Sequence, residues 1–484
     1  MMAVRTLTLR DVLTALVGET EPPFNFNIDG GSIDSRNVKP NDLFIALPGE
    51  NTDGHLYVDD ALRKGASLAL IDHEIISEFP IVDLSKTPLV LPENKPFSLL
   101  TANSLEALQR IATWWREQFD LKVVGITGSV GKSSTKDLVW SILSRRLVTL
   151  HSEGNQNNEI GLPLTLLKLN SRHEVAVLEM GFYVPGEIKL LCDIAHPQIG
   201  IITNVGTVHA ERAGSIEVIA KGKAELVEAL PPAPTGFAIL NYDDTRVREM
   251  ASKTKAEVFY YGLSPEADLW ADEIESMGLE GVRCRMHYRG ESNYLTAPLI
   301  GRHSVYTMLR AVATALKFGI SWDWIFFALK DMPIQVRVVT VNTKSGARLI
   351  DDSYNASPDS TVAALNLLRD LGGRKVAVLG DMLELGPQEK LYHVQMGETA
   401  ARVGIDILLT TGSFARDWVQ GFETAAYSGQ KGFNFDSKAS LHAELVASIE
   451  NEPESTLVLV KGSRGSQMDE IVAWLKGIPF RAGH

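Results

Sequence analysis

The chain has 484 residues, 45% hydrophobic and 22% charged, with no long biased tract. At roughly 100–200 residues per domain this predicts about three folded domains and excludes both a single small module and a disordered chain. The formal charge of −13, from 60 acidic against 47 basic residues, speaks against a general nucleic-acid binder, which shows a basic footprint. The two cysteines, Cys192 and Cys284, are too few for a disulfide framework or an all-cysteine zinc site and read as packing residues in a reducing compartment. The start of the chain lacks a signal-peptide core and no apolar run reaches the ~18 residues of a membrane span, so the expectation is a cytoplasmic protein.

Turn clusters separate three blocks, 1–110, 111–333 and 334–484. In the first, short apolar runs at Leu43–Leu47 and Ser67–Ile71 precede a proline-spotted stretch, Pro80–Pro96, that reads as a loop-rich margin. Ser104–Phe119 carries Leu105, Leu108, Ile111, Ala112 and Trp115 at helical spacing, with Trp114 and Trp115 as core residues. The second block alternates β-branched runs, Leu121–Ile126, Val175–Glu179 and Ile199–Thr203, with helical segments. That alternation is the signature of βαβ units and a mostly parallel sheet. The third block repeats it with Lys375–Leu379, Ile407–Thr410 and Thr456–Val460, which predicts another α/β domain. In open α/β sheets ligands collect at the carboxyl ends of strands, so those junctions hold the candidate residues.

The strongest local signal runs from Gly125 through Ile126, Thr127, Gly128, Ser129, Val130, Gly131, Lys132 and Ser133 to Ser134, between a strand and the helical segment Lys132–Leu147. Glycines let backbone N–H groups turn toward phosphates, Lys132 adds a compact positive charge, and Ser133 offers a hydroxyl to Mg²⁺ at a helix N-terminus. The strict phosphate-loop pattern puts its first glycine at position 126; here it stands one place earlier, at Gly125. Three more polar groups follow strands: Glu179 closes Val175–Leu178, His209 lies in a glycine-containing loop after Ile201–Thr203, and Lys223 sits on a helix capped by Ser215. Beside a nucleotide loop, these make an oxygen- and nitrogen-rich metal set. In the third block, Asp351 to Ala356 follows Arg348–Ile350, and Lys461 to Gly465 follows Thr456–Val460. The first run suits a ribose or a metal-bound water; the second, through Lys461 and Arg464, suits phosphate or carboxylate.

Taken together these runs resemble the Mur ligases, ATP-dependent enzymes that add amino acids to the UDP-linked peptidoglycan precursor. The resemblance rests on Asp34-Ser35-Arg36, Asp42 to Leu47 and Asp53-Gly54-His55, then on Thr127 to Ser134 and Asn155 to Pro163 with Asn157 and Asn158. It continues through Leu178-Glu179-Met180-Gly181, Thr203-Asn204-Val205-Gly206 with His209, and Gly301-Arg302-His303. Asp351 to Ser360 with Tyr354 and Asn355, Val378 to Gly386, and Val460 to Gly465 resemble the runs of members that add D-alanyl-D-alanine. The Asp-Asn-Pro-Arg run of diaminopimelate-adding members is absent.

The resemblance implies an N-terminal α/β domain for the UDP end of the precursor, with Ser35 and Arg36 on substrate, then a central ATPase-like domain and a C-terminal Rossmann-like domain. It implies ATP held by Thr127–Ser134, Asn204, Arg337 and Asp352. It implies two Mg²⁺ ions on Ser133, Glu179, His209 and a carbamylated Lys223, the last 14 residues beyond His209. Lys132, Glu179, His209 and Lys223 would carry catalysis, and Asn157, Asn158, Tyr354, Asn355, Lys461 and Arg464 would meet the substrates, a UDP-N-acetylmuramoyl-tripeptide and D-alanyl-D-alanine. The protein is expected to act as a monomer, without nucleic acid.

Two departures stand out. The family's His-Asn-x-x-Asn appears as His303-Ser304-Val305-Tyr306-Thr307, with hydroxyls for both amides, and the Gly-Arg at the last hinge as Val336-Arg337. The alternatives are another amino-acid-adding Mur-type ligase, a folylpolyglutamate synthase-like enzyme or, in another class, a nucleotide-dependent switch. A guanine-reading switch would need an [Asn/Thr]-Lys-x-Asp run, and no lysine here is followed two places on by Asp.

Overall fold

The computed structural model describes residues 4–18, 21–49, 52–206, 215–330, 339–343, 345–450 and 452–478. Two predicted site residues, His209 and Arg337, lie outside the described residues. Among the described residues three sheets form, each from one stretch of sequence, and the fold is α/β with mostly parallel strands.

The first sheet has five parallel strands in the spatial order Gly30–Ser32, Asp42–Ile45, Leu68–Ile71, Phe97–Leu100 and Ile81–Asp83. Ile81–Asp83 falls inside the stretch expected to be loop margin. It pairs with Phe97–Leu100 as an edge strand, the position where short strands flanked by proline are tolerated. The helix Ser104–Glu117 follows, started by Asn103, whose side chain accepts from the Glu106 N–H. Trp115 on that helix is fully buried, donates its indole N–H to the Leu169 carbonyl (3.1 Å) and meets Phe119 edge-on. One apolar core runs from Leu43 and Leu68 through Ile111 and Trp115 to Val123 and Leu178, so this helix, which straddles residue 110, joins the first sheet to the second.

The second sheet has nine strands. From one edge, Thr149–His151, Val175–Glu179, Lys122–Thr127, Ile199–Ile202, Phe237–Asn241, Glu257–Gly262 and Leu269–Ser276 run parallel. Because side chains alternate along a strand, Val123 faces the core shared with the first sheet, while Val124 and Ile126 face the core beneath the helices Lys132–Leu143 and Ser304–Lys317. Burial on both faces is why these strands read as continuous apolar runs. Beyond Leu269–Ser276 the sheet turns antiparallel through Val282–Tyr288 and Glu291–Ala297, a hairpin that alternation of parallel units did not anticipate. Its turn carries Arg289 and Gly290 at φ 50° and 81°, the left-handed pair that a two-residue hairpin needs.

The third sheet has six strands in the order Val339–Asn342, Arg348–Asp352, Thr456–Lys461, Arg374–Leu379, Ile407–Thr411 and Lys431–Phe435, parallel except for the first. Cys192 and Cys284 are buried as expected, and burial raises both thiols, Cys284 to about 12. No helix among the described residues is long and apolar enough to cross a membrane.

Candidate active site

The carboxyl ends of the second and third sheets face one cleft of about 760 Å³. On the central side, the strand Lys122–Thr127 hands over to the helix Lys132–Leu143 through a loop with Gly128 and Gly131 at φ 146° and 83°. At Gly128 a Cβ would overlap the Thr203 hydroxyl, so both its φ and its packing demand glycine. The loop is braced from the next strand end. Thr203 donates its hydroxyl to the Val130 carbonyl (2.7 Å), the Asn204 side-chain oxygen accepts from the Val130 N–H (2.9 Å), and Ser129 exchanges hydrogen bonds with Gly206. Lys132 folds back, donating to the Gly128 carbonyl at 2.8 Å. The helix start therefore presents N–H groups, a lysine and the Ser133 hydroxyl to one side, the arrangement that holds phosphate.

Glu179 lies 2% exposed at the end of its strand, where it accepts from the Ser133 hydroxyl and from the Asn157 amide (2.9 Å). Ser133, Glu179 and Asn157 thus form one oxygen-bearing cluster beside the loop, and a buried carboxylate next to a hydroxyl suits a hard cation such as Mg²⁺. Asn158 is placed differently. Its side chain accepts from the Gly161 N–H (2.8 Å) and braces the start of the helix Gly161–Leu166, although the residue still lines the cleft.

Lys223 is 2% exposed, on the helix begun by Ser215, whose hydroxyl accepts from the Val218 N–H. No hydrogen bond or ion pair to Lys223 is seen among the described residues; its Nζ stands 4.9 Å from the centre of the Phe182 ring. Burial holds this amine well below its ordinary range, and the Lys132 charge pushes the same way. Phe182 lines the cleft and Lys223 does not.

On the opposite side, the three runs resembling D-alanyl-D-alanine-adding ligases converge. Lys461, 2% exposed, donates to the Asp352 carboxylate (2.7 Å) and the Asn355 carbonyl (2.8 Å). The Gly380 N–H meets the Lys461 carbonyl, and the Ser463 hydroxyl accepts from the Leu383 N–H while donating to the Ala356 carbonyl. Tyr354, Asn355, Glu384 and Arg464 line the cleft with them. Ser35 and Arg36 are not part of this lining; Arg36 forms a forked ion pair with Asp34 in the loop after Gly30–Ser32 and lowers that carboxyl's pKa.

Of the two departures, Ser304 spends its hydroxyl on the Ile300 carbonyl one turn back (2.8 Å), and the Thr307 hydroxyl accepts from Arg310 (2.9 Å). Arg310 and Phe182 line the cleft without having been singled out from the sequence. Arg310 carried a signal: it is a charged residue inside Val305–Ala315, a stretch buried almost throughout. A cation on the apolar side of a helix needs a reason.

The chain matches the Mur ligase family, catalytic domain over residues 27–111, the Mur ligase middle domain over 126–315, and the Mur ligase, glutamate ligase domain over 336–464. It is 33% identical over 449 residues to the UDP-N-acetylmuramoyl-tripeptide–D-alanyl-D-alanine ligase of Bacillus subtilis, covering 92% of each chain. The crystal structure of MurF from Acinetobacter baumannii superposes with a TM-score of 0.83 at 30% identity, over 98% of this chain and 99% of that one. MurF from Thermotoga maritima, solved in complex with ADP, shares the fold at a TM-score of 0.75 and 24% identity, over 93% and 97%. With three matched domains in family order, and one cleft walled by the second and third, the chain belongs to the Mur ligase family of ATP-dependent ligases.

Proposed function

We propose that this ligase joins D-alanyl-D-alanine to a UDP-N-acetylmuramoyl-tripeptide in the cytoplasm, acting as a monomer with domains at 1–110, 111–333 and 334–484. The observation that carries the reading is that the phosphate loop at Lys132 and the basic pair Lys461 and Arg464 face the same cleft. Transfer of phosphate to a carboxylate and capture of the product by an amine both need such a shared space.

The carboxylate of the tripeptide forms a bond to the γ-phosphorus and ADP leaves; the dipeptide amine then forms the C–N bond, loses a proton and expels phosphate. Lys132 and the loop N–H groups hold the phosphoryl oxygens while charge builds on them. Thr127–Ser134, Asn204, Arg337 and Asp352 serve ATP; Ser35 and Arg36 serve the UDP end; Asn157, Asn158, Tyr354, Asn355, Lys461 and Arg464 serve the peptide partners. Ser133, Glu179, His209 and Lys223 would hold two Mg²⁺ ions. Bound there, magnesium supplies positive charge to the phosphoryl oxygens. Lys223 fits this set as a carbamate. Burial lowers its pKa, which favours the uncharged, nucleophilic form of the amine; bonding of that nitrogen to CO₂ with loss of a proton would turn it into an anionic oxygen donor. Closure of the two walls would keep water from the acyl phosphate.

Release of ADP is the test. It should require both UDP-tripeptide and D-alanyl-D-alanine, and turnover with diaminopimelate or glutamate in place of the dipeptide, with none on D-alanyl-D-alanine, would overturn the assignment.

A further inference from the structure

We propose that Arg310 is a nucleotide-binding residue, a second cation that takes part of the polyphosphate charge of ATP. It is 5% exposed and still lines the cleft. Its Nε donates to the Thr135 hydroxyl (2.7 Å), its Nη1 to the Tyr261 hydroxyl (3.3 Å) and its Nη2 to the Thr307 hydroxyl (2.9 Å). These three bonds orient the guanidinium but bring it no negative charge. Among the described residues no carboxylate forms an ion pair with Arg310. A buried cation without a counter-charge is costly, and two of its five N–H donors have no acceptor among the described residues.

Position supplies the missing anion. Nη2 stands 3.0 Å from where a Cβ on Gly131 would be, directly against the residue that precedes Lys132. Thr135, which holds Nε, belongs to the first turn of the same phosphate-loop helix. A planar fork fixed at this point matches two oxygens of a phosphate better than an ammonium does. The hydroxyls of Thr135, Tyr261 and Thr307 thus act as positioning groups that aim Arg310 at the loop.

This rests on reading the cleft as the ATP site, and the experiment separates the two claims. Calorimetric affinities for ATP, ADP and adenosine are measured at low and physiological salt for the full-length protein, Arg310→Met, Arg310→Lys and Lys132→Ala, with melting temperatures alongside. Arg310→Met should weaken ATP and ADP about tenfold, the worth of one charge-assisted contact, and leave adenosine unchanged. Its ATP affinity should also depend less on salt, and Arg310→Lys should recover part of the loss. If Arg310→Met does not fold, the ATP-to-adenosine affinity ratio of Arg310→Lys, expected to fall below that of the parent, decides. Equal losses for adenosine and ATP, or an unchanged ATP affinity with only a lower melting temperature, would make Arg310 a structural clamp and overturn the inference. Weakening by Lys132→Ala alone would remove only Arg310; insensitivity of ATP to both variants would remove the nucleotide site itself.

Discussion

The two walls of the cleft are built on opposite principles. The central wall is assembled from one contiguous loop braced by the neighbouring strand end, with backbone N–H groups and Lys132 presented by a helix start. The C-terminal wall is assembled from residues 106 to 109 positions apart, and its main cation, Lys461, is bonded to Asp352 and Asn355. At the first wall Lys132 is bonded to the neutral Gly128 carbonyl, whereas at the second an incoming carboxylate or phosphate must compete with a carboxylate already in place.

Breaking the preset wall should have the largest effect. Lys132→Ala should lower kcat by about a hundredfold or more, the scale of one preorganised charge contact, with little change in melting temperature. A folded variant with near-normal kcat would leave the loop without its assigned role. Lys223→Ala should come close behind. Its lysine is buried without a polar partner among the described residues, so its removal should spare the fold while activity falls at least tenfold. A short added carboxylate should restore part of that activity. Full activity of Lys223→Ala in magnesium would rule out the carbamate.

The self-paired wall should respond in stability instead. Asp352→Asn leaves Lys461, 2% exposed, without its counter-charge. Because Asp352 itself is 21% exposed, the expected cost is about 2 kcal/mol, below the usual range for fully buried pairs. Adding Lys461→Met should return most of it in a denaturant melt. A double variant no more stable than Asp352→Asn alone would show that the pair is not coupled.

The same contrast decides what could be read from the sequence. The phosphate loop was legible because its chemistry is local: Thr127 to Ser134 is one run whose glycine spacing and following helix declare the geometry. The parallel strands were legible because burial on both faces leaves uninterrupted β-branched runs such as Val175–Glu179. The hairpin 282–297 was not, since half its residues face outward and its only marker is Arg289-Gly290. Nor were the Asp352–Lys461 pair or the set Thr135, Tyr261 and Arg310, whose members lie 175 and 49 residues apart and meet only once the sheet orders them. Phe182 carries no sequence mark of the lysine behind it, because ring–amine contact depends on the packing of Gly222 against the ring.

A smaller effect should separate the walls by pH. His393, fully buried, accepts from the Met382 N–H through Nε2 (2.9 Å) and has Nδ1 on the Glu389 carbonyl (2.6 Å), so it supports the Gly380–Leu385 run only while neutral. Burial holds its pKa below the ordinary value, outweighing Asp381, Glu389 and Asp417 nearby. The unfolded chain takes up the proton near pH ~6.5 while the folded one resists it, so this stabilisation is complete above about pH 6.5 and declines as pH falls. His393→Gln should lose less stability than the parent between about pH 7.5 and about pH 5.5 in denaturant melts. His151, His173, His303 and His442, also lowered by burial, remain in both proteins and cancel in the comparison. Equal losses would show that His393 does not carry the effect.

The smallest effect belongs to the edge of the preset wall. Ser304 is cleft-lining, yet its hydroxyl is committed to the Ile300 carbonyl and donates nothing to a ligand. An amide is one heavy atom longer, both donates and accepts, and cannot make the same short bond back along its own helix without turning its free end outward. Ser304→Asn should therefore add one hydrogen bond to the nucleotide base, tightening ATP by roughly 1 kcal/mol, or about fivefold, and GTP by less. Thr307 is left untouched in this variant because its hydroxyl positions Arg310, and changing both would mix a base contact with a phosphate contact. Competition between ATP and GTP, measured by calorimetry in the parent and in Ser304→Asn, reads the difference directly. An unchanged ATP-to-GTP ratio would place the base away from the start of this helix and leave polyphosphate charge as the main thing the central wall recognises.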